Sequence, residues 1–414
     1  MTERVVVTGC GVISALGANY PAFCRALAQG DCGVRRIDCA RSESDGRTLA
    51  VAAAPAPFPV AATHRRPAIE LLDRVSQLAL MAATEAIEAC GLLQEPRLAR
   101  DAGVFVGTGM GGATSMERAY ADIFGRAIEP RPYTVLSVMN NAAAAHISIR
   151  FGLKGPNVTL SSACASSALA IGEAFHAVRS GQLPCALAGG AEACLVPGVL
   201  RAWKALRVMA RPDDEDPARS CRPFSADRRG IVLGEGAAFV ALESAGAARN
   251  RGAPILAEIS GYGRCADGVH VTTPNVEGQV RAMQLALADA ALEPHQIDYV
   301  NAHGTATSVG DVCEVLALKR TFGGHALDLA VSSTKSAHGH LLGAAGAVEF
   351  AACLAALTGE FLPATLHRSA PDPECDLDCV PNRPRHGVRI QRFMSNSFAF
   401  GGSNAVLIGG AYRD

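Results

Sequence analysis

The chain has 414 residues, enough for two ordinary domains or one large duplicated unit. Apolar residues make up 49% and aromatics only 5%, so the core must be built from Ala, Val, Leu and Ile packed closely through Gly, an α/β style of composition. A net charge of −1 excludes a global field that would draw the protein to nucleic acid or a membrane surface, so a charged partner has to be met by a local patch. The 14 cysteines are scattered, with no Cys-x-x-Cys pair, far below the density of a disulfide scaffold. Met1-Thr2-Glu3-Arg4 lacks the basic, apolar and cleavage order of a secretory signal. No uninterrupted apolar stretch of the ~18 residues needed to span a membrane is expected. The expectation is a soluble, cytoplasmic protein.

In chain order, Val5-Val6-Val7-Thr8-Gly9 reads as a first strand ending in a glycine turn. Apolar residues at helical spacing predict a long helix from Ile69 to Cys90, stopped by Gly91. Gly103 to Gly112 is a strand running into a glycine loop, and Asn140 to Phe151 a helix. Thr159 to Ile171 reads as a buried strand, a tight turn of small residues holding Cys164, then a helix. A cysteine at such a turn lies near the positive end of the helix dipole, which favours thiolate over thiol. Cys185 to Glu192 and Ile231 to Leu242 follow as strands.

The pattern then repeats. Ile255–Gly261 is a strand, Val280–Ala291 a helix, and Ile297–Ala302 a strand whose end delivers His303. Ala330–Lys335 is a strand whose end delivers Lys335, Leu342–Leu357 a helix, and Arg392–Gly402 and Ala405–Ile408 close the sheet. Leu160-Ser161-Ser162-Ala163-Cys164 and Val331-Ser332-Ser333-Thr334-Lys335 share one plan: a strand, Ser-Ser, a turn, then a helix rich in Ala and Gly. That similarity fits a duplicated βαβ half, divided as residues 1–250 and 251–414. Cys164, His303, Lys335 and the 398–402 loop then sit at the carboxyl ends of strands, where working groups gather in α/β sheets. Residues 36–60, 209–230 and 362–387 read as surface loops. One placed cysteine and two histidines in glycine-rich loops suggest thiolate chemistry on an acyl group. His338 and His340 form a His-x-His without further ligands nearby, so no metal is expected.

These segments resemble the β-ketoacyl-acyl carrier protein synthases, both the type II elongating enzymes and the type II polyketide ketosynthases. The resemblance runs from Val7-Thr8-Gly9-Cys10-Gly11 to Asn396-Ser397-Phe398-Ala399-Phe400-Gly401-Gly402-Ser403-Asn404. Ser162 to Ser167 looks like the nucleophile motif, His303-Gly304-Thr305-Ala306-Thr307 with Gly310-Asp311 like the first histidine loop, and Lys335 to Glu349 like the lysine–histidine segment. The family has the thiolase fold, with duplicated βαβ halves in an α-β-α-β-α arrangement.

The resemblance implies a decarboxylative condensation. Cys164 carries the acyl group, and the N–H groups of Cys164 and Phe400 form the oxyanion hole. His303 and His340 serve the malonyl enolate as neutral Nε2–H donors, and Lys335 pairs with Glu349 to hold the histidine loop. Thr305 and Thr307 meet the phosphopantetheine arm, while Met110 and Phe398 line the acyl site. No bound cofactor is implied, because that arm arrives on the acyl carrier protein. Arg65, Arg66, Lys204 and Arg207 are candidate docking cations, with Arg201, Lys204 and Arg207 spaced to share a helix face. A homodimer, or a heterodimer with a chain-length-factor-like homologue, is implied; nucleic-acid binding and membrane insertion are not. Ala399 replaces a glycine in the gate loop, where it would resist positive φ; His338 has no assigned role, and Arg229 replaces a common Asp with no account. The alternatives are a non-catalytic chain-length-factor-like scaffold, which would lack the nucleophile, a coenzyme A-dependent thiolase, which would carry a second cysteine in the 395–400 loop, and a Cys-His hydrolase.

Overall fold

The computed structural model describes residues 3–41, 48–57 and 72–413. Ten strands form the main sheet: β1 (Val5–Ile13), β2 (Gly103–Gly107), β3 (Asn157–Leu160), β4 (Cys185–Glu192), β5 (Gly236–Ser244), β6 (Ala257–Ala266), β7 (Tyr299–Asn301), β8 (Ala330–Ser332), β9 (Arg392–Phe398) and β10 (Ser403–Gly410). Their spatial order is β8-β7-β9-β10-β6-β1-β5-β4-β2-β3. Within the first five strands in sequence the order is third, second, fourth, fifth, first; the last five repeat it. The directions repeat as well. In each half the second strand runs parallel to the third and fourth, and the fourth and fifth pair antiparallel. β1 and β6 join the halves, with Val5 opposite Ile259.

The helices complete the duplication: α1 (Arg74–Cys90), α2 (Ser166–Arg179), α3 (Val276–Ala290), α4 (Ser308–Phe322) and α5 (Ala345–Gly359). α1 covers the outer face of the first half and α3 that of the second, while α2 and α5 pack on each other between the two halves of the sheet. The outer contacts are matched in detail. A Cβ on Gly11 of β1 would lie 2.1 Å from the Ala82 oxygen of α1, and one on Gly263 of β6 would lie 2.1 Å from the Ala282 oxygen of α3. Both strands need glycine because a helix backbone lies against them. This is the thiolase fold, α-β-α-β-α.

Leu342–Gly359 is an apolar stretch of 18 residues with mean hydropathy 1.6, long enough to cross a membrane by length and composition, yet 89% of it is buried in the protein. It belongs to the layer between the two halves of the sheet, and its one charged side chain, Glu349, is buried in an ion pair with Lys335. The 36–60 stretch is not all loop: Arg35–Arg41 and Thr48–Ala54 pair as antiparallel strands. The described part of the first long helix begins at Arg74, where the Asp73 carboxylate caps the Val75 N–H; the expected start at Ile69 lies outside the described residues. β3, expected to be buried, is the exposed edge of the sheet.

Candidate active site

Three strand ends and one loop converge on a cavity of about 270 Å³. β3 delivers Cys164 through a sharp turn in which Ala163 has φ 47°, in the left-handed region that L-residues resist. The turn is held by the Ser166 hydroxyl, which donates to the Ala163 carbonyl (2.7 Å) and accepts the Ser162 N–H (2.8 Å). β7 delivers His303; β8 delivers Lys335 and, after a short helix, His340; the 398–402 loop brings Phe398 and Phe400.

His340 Nε2 lies 3.0 Å from the Cys164 sulfur. Its Nδ1 accepts the Leu342 N–H at 3.2 Å, so the ring proton sits on Nε2 and points at the sulfur. Lys335 Nζ, a donor, lies 3.4 Å from His303 Nδ1, which assigns the same tautomer there. Burial first, and the Lys335 charge second, hold both imidazoles well below their ordinary pKa. They are neutral Nε2–H donors, their rings edge to face at 5.4 Å. Lys335 forms a fully buried ion pair with Glu349. Burial pushes the Glu349 carboxyl up to about 7 against the pull of that ammonium.

Sequence reasoning missed Glu314. Its carboxylate accepts the N–H groups of His303 (2.8 Å) and Gly304 (2.7 Å) and the Asn396 amide (3.2 Å), fixing the histidine loop to α4. It also missed Glu192, whose buried carboxylate accepts the Gly109 (2.7 Å) and Gly343 (3.0 Å) N–H groups and so ties the two halves together behind the site. The available signal was a carboxylate on an otherwise apolar strand, Cys185–Glu192, and one three residues beyond Asp311. A third omission is Trp203, stacked on the Phe400 ring.

The cavity is lined by Thr305, Thr307, Phe398 and Phe400 beside the nucleophile, but Met110 is not among its lining residues. Met110 is 44% exposed and donates its N–H to Glu192. The Thr307 hydroxyl accepts the Gly310 N–H and caps α4 while it faces the cavity. Ala399 is not among the residues at positive φ; Gly401 and Gly402 take that role at 85° and 75°. Arg65 and Arg66 lie outside the described residues. Lys204 is exposed on the helix Pro197–Ala205, but Arg207 lies beyond its end with φ 60°, so the three spaced cations do not share one helix face. His338 is turned away from the nucleophile, bonded to the Gly339 carbonyl (2.8 Å) and the Thr334 hydroxyl (2.9 Å), so the His-x-His is not a ligand pair. Among the described residues, Cys164, His303 and His340 form a group that could hold a metal ion, their ligand atoms all within 4.8 Å. Behind them Asn301 Oδ1, Glu349 Oε2, Asn396 Oδ1 and Ser397 Oγ are buried without hydrogen-bond partners, oxygen donors of the type a hard cation takes.

The site therefore offers a nucleophilic sulfur and two neutral donors on one cavity, with a buried cation behind His303. The Beta-ketoacyl synthase N-terminal domain matches residues 2–248 and the C-terminal domain residues 256–369. The chain belongs to the β-ketoacyl synthase family. This synthase is 42% identical over 412 residues to Nodulation protein E of Rhizobium leguminosarum bv. trifolii, covering 98% of this chain and 99% of that protein. It is 39% identical over 411 residues to 3-oxoacyl-[acyl-carrier-protein] synthase 2 of Staphylococcus aureus (strain COL), covering 98% of each. The solved structure of the ishigamide ketosynthase/chain length factor superposes with a TM-score of 0.90 at 33% identity and covers 100% of both chains.

One electrostatic expectation is overturned in the synthase. The turn geometry predicts a thiolate, but burial pushes the Cys164 thiol up to about 12, against the opposing pulls of Lys335 and the Phe400 N–H. Desolvation of a fully enclosed sulfur outweighs a helix-end dipole. Alkylation of Cys164 by iodoacetamide, followed by peptide mass spectrometry, is therefore expected to rise about tenfold per pH unit from pH 7 to 10 without a plateau. A rate already flat at pH 7 would show a resting thiolate.

Proposed function

We propose that the synthase catalyses decarboxylative condensation of malonyl-acyl carrier protein with an acyl group held on Cys164, in fatty acid or polyketide chain elongation. The cluster of Cys164, His340 and His303 on one cavity carries this reading. The Cys164 sulfur attacks the acyl thioester; the carbon–sulfur bond to the pantetheine breaks, and the cysteine proton leaves with the departing thiol. The N–H groups of Cys164 and Phe400, two residues that line the same cavity, are the donors for the developing oxyanion. Malonyl thioester then enters and loses carbon dioxide. The Nε2–H groups of His303 and His340 stabilise the enolate oxygen; neutral donors hold that charge without first giving up a proton. The enolate carbon attacks the acyl-Cys164 carbonyl, and the sulfur leaves as thiolate and regains a proton. The intact nucleophile argues against a scaffold subunit, and the cysteine-free 395–400 loop argues against a thiolase. Incubation with acyl-carrier protein alone should add one acyl mass to the Cys164 peptide; an unmodified peptide after prolonged incubation would overturn the reading.

Two partners follow. The segment 120–139 exposes Tyr120, Ile123, Phe124, Tyr133, Val135 and Leu136, and β3 is an edge strand of the sheet. Such a surface suits a second chain of the same fold, a copy or a chain-length-factor-like homologue. The carrier protein docks at the cavity rim, where Lys204 and Arg207 are exposed next in sequence to Val208 of the cavity wall. Reversing both charges should raise KM for acyl-carrier protein several-fold, and more at low salt, while leaving KM for a small acyl-pantetheine unchanged. Equal kinetics for both substrates would place the docking face elsewhere.

A further inference from the structure

Glu192, at the end of β4, is a fully buried carboxylate that takes no part in the chemistry above. The five polar groups around it all donate. Oε2 accepts the Gly109 N–H at 2.7 Å and the Gly343 N–H at 3.0 Å. Oε1 faces the Met110 N–H (3.3 Å), the Cys194 thiol (3.3 Å) and the Thr108 hydroxyl (3.4 Å). A protonated acid or an amide would point a hydrogen at one of these donors, so the surroundings select the ionised carboxylate. We propose that Glu192 is a positioning residue for His340: by holding the Gly343 N–H it fixes the Leu342–Gly343 turn, and that turn keeps the imidazole proton on Nε2. The consequence for turnover rests on the reading of His340 as an enolate donor.

The path from carboxylate to ring is short. On its N-terminal side His340 is held by backbone: its N–H donates to the Val232 carbonyl (2.7 Å), and its carbonyl accepts the Gly234 N–H (2.9 Å). On the other side the chain turns at Leu342, whose φ of 48° lies in the left-handed region that L-residues resist. From that turn the Leu342 N–H reaches back to His340 Nδ1 at 3.2 Å. The next N–H along, that of Gly343, is the one Glu192 holds. The turn also sits directly on the end of β2, where a Cβ on Gly343 would lie 2.2 Å from the Gly109 nitrogen. One carboxylate thus binds both sides of this contact.

Without that acceptor the turn can relax out of the left-handed region, which takes the Leu342 N–H off Nδ1. The ring can then carry its proton on Nδ1 and present Nε2 as an acceptor to the sulfur 3.0 Å away. It stays beside the nucleophile but no longer donates to an enolate. Loss of Glu192 should therefore separate the two half-reactions, whereas a general loosening of the fold would slow both.

Protein labelled with nitrogen-15 histidine reports the tautomer directly through long-range proton–nitrogen correlation, the His340 signals being those lost in His340→Ala. The parent is expected to show the proton on Nε2, and Glu192→Gln a mixture with a large share on Nδ1. Gly109→Ala should act in the same way with the charge retained, because its Cβ would lie 2.8 Å from Glu192 Oε2 and displace the carboxylate. Glu85→Gln is the control. Glu85 also gathers two backbone N–H groups, those of Val12 (2.9 Å) and Tyr20 (2.7 Å), but does not line the cavity, so its loss should leave the His340 signals in place. In turnover, Glu192→Gln and Gly109→Ala should each lower condensation about 10- to 100-fold, the usual effect of removing a group that orients a working histidine, with self-acylation of Cys164 close to the parental rate. A parental ring with its proton on Nδ1 overturns the proposal whether or not the variants fold. Unchanged His340 signals in folded Glu192→Gln or Gly109→Ala protein overturn it as well. The labelling arm needs no substrate, so its outcome is separate from that of the condensation reading.

Discussion

Cys164→Ala is expected to form no acyl-enzyme and no β-ketoacyl product, a loss on the order of 10⁴-fold or more, because Cys164 is the one thiol among the described residues that line the cavity. The fold should survive. The sulfur is buried, but its removal deletes one atom from a turn held by the Ser166 hydroxyl and by the Ala347 N–H, which donates to the Ser167 hydroxyl at 2.9 Å. A core change of that size costs about 1 kcal/mol. Both histidines remain, so the variant should still release carbon dioxide from malonyl-carrier protein. Mass spectrometry of the protein after exposure to acyl-carrier protein, beside a carbon dioxide assay, reads both outcomes. Acyl transfer at the parental rate would remove Cys164 from the mechanism.

His303→Ala and His340→Ala should each lower condensation about 100–1,000-fold, the usual cost of one donor to a developing oxyanion. The structure separates them in the first step. His340 touches the sulfur at 3.0 Å, whereas the described partner of His303 Nδ1 is Lys335. His303→Ala should thus self-acylate at close to the parental rate, and His340→Ala several-fold more slowly. Pre-steady-state acylation and single-turnover condensation, measured on the same preparations, test the division. A His303 variant that condenses normally would leave the enolate without that donor.

Much of this site was legible because it lies at strand ends. The reading of Leu160–Cys164 and Val331–Lys335 as equivalent segments corresponds to β3 and β8, which occupy the same place, at the two edges, in the two halves of one sheet. The groups that hold the site were harder to find. Glu314 and Glu192 look like surface charges in sequence, and only the fold shows that their carboxylates gather backbone N–H groups from segments far away in the chain. Arg207 looked helical because spacing does not report that its backbone turns left-handed. The thiolate expectation failed for a similar reason. A helix end is visible in sequence, but the desolvation that opposes it depends on everything packed around the sulfur. β3 carried the apolar signal of a buried strand, yet it is an edge of the sheet and partly exposed.

Condensation itself is the most direct test. The purified protein is given acyl-carrier protein and malonyl-carrier protein labelled with carbon-13 at its free carboxyl, and both products are followed by mass spectrometry. The account predicts labelled carbon dioxide and unlabelled β-ketoacyl-carrier protein in equal amounts, with an acyl-Cys164 intermediate that forms before either. Retention of the label in the product, or product formation without a Cys164 adduct, would contradict it.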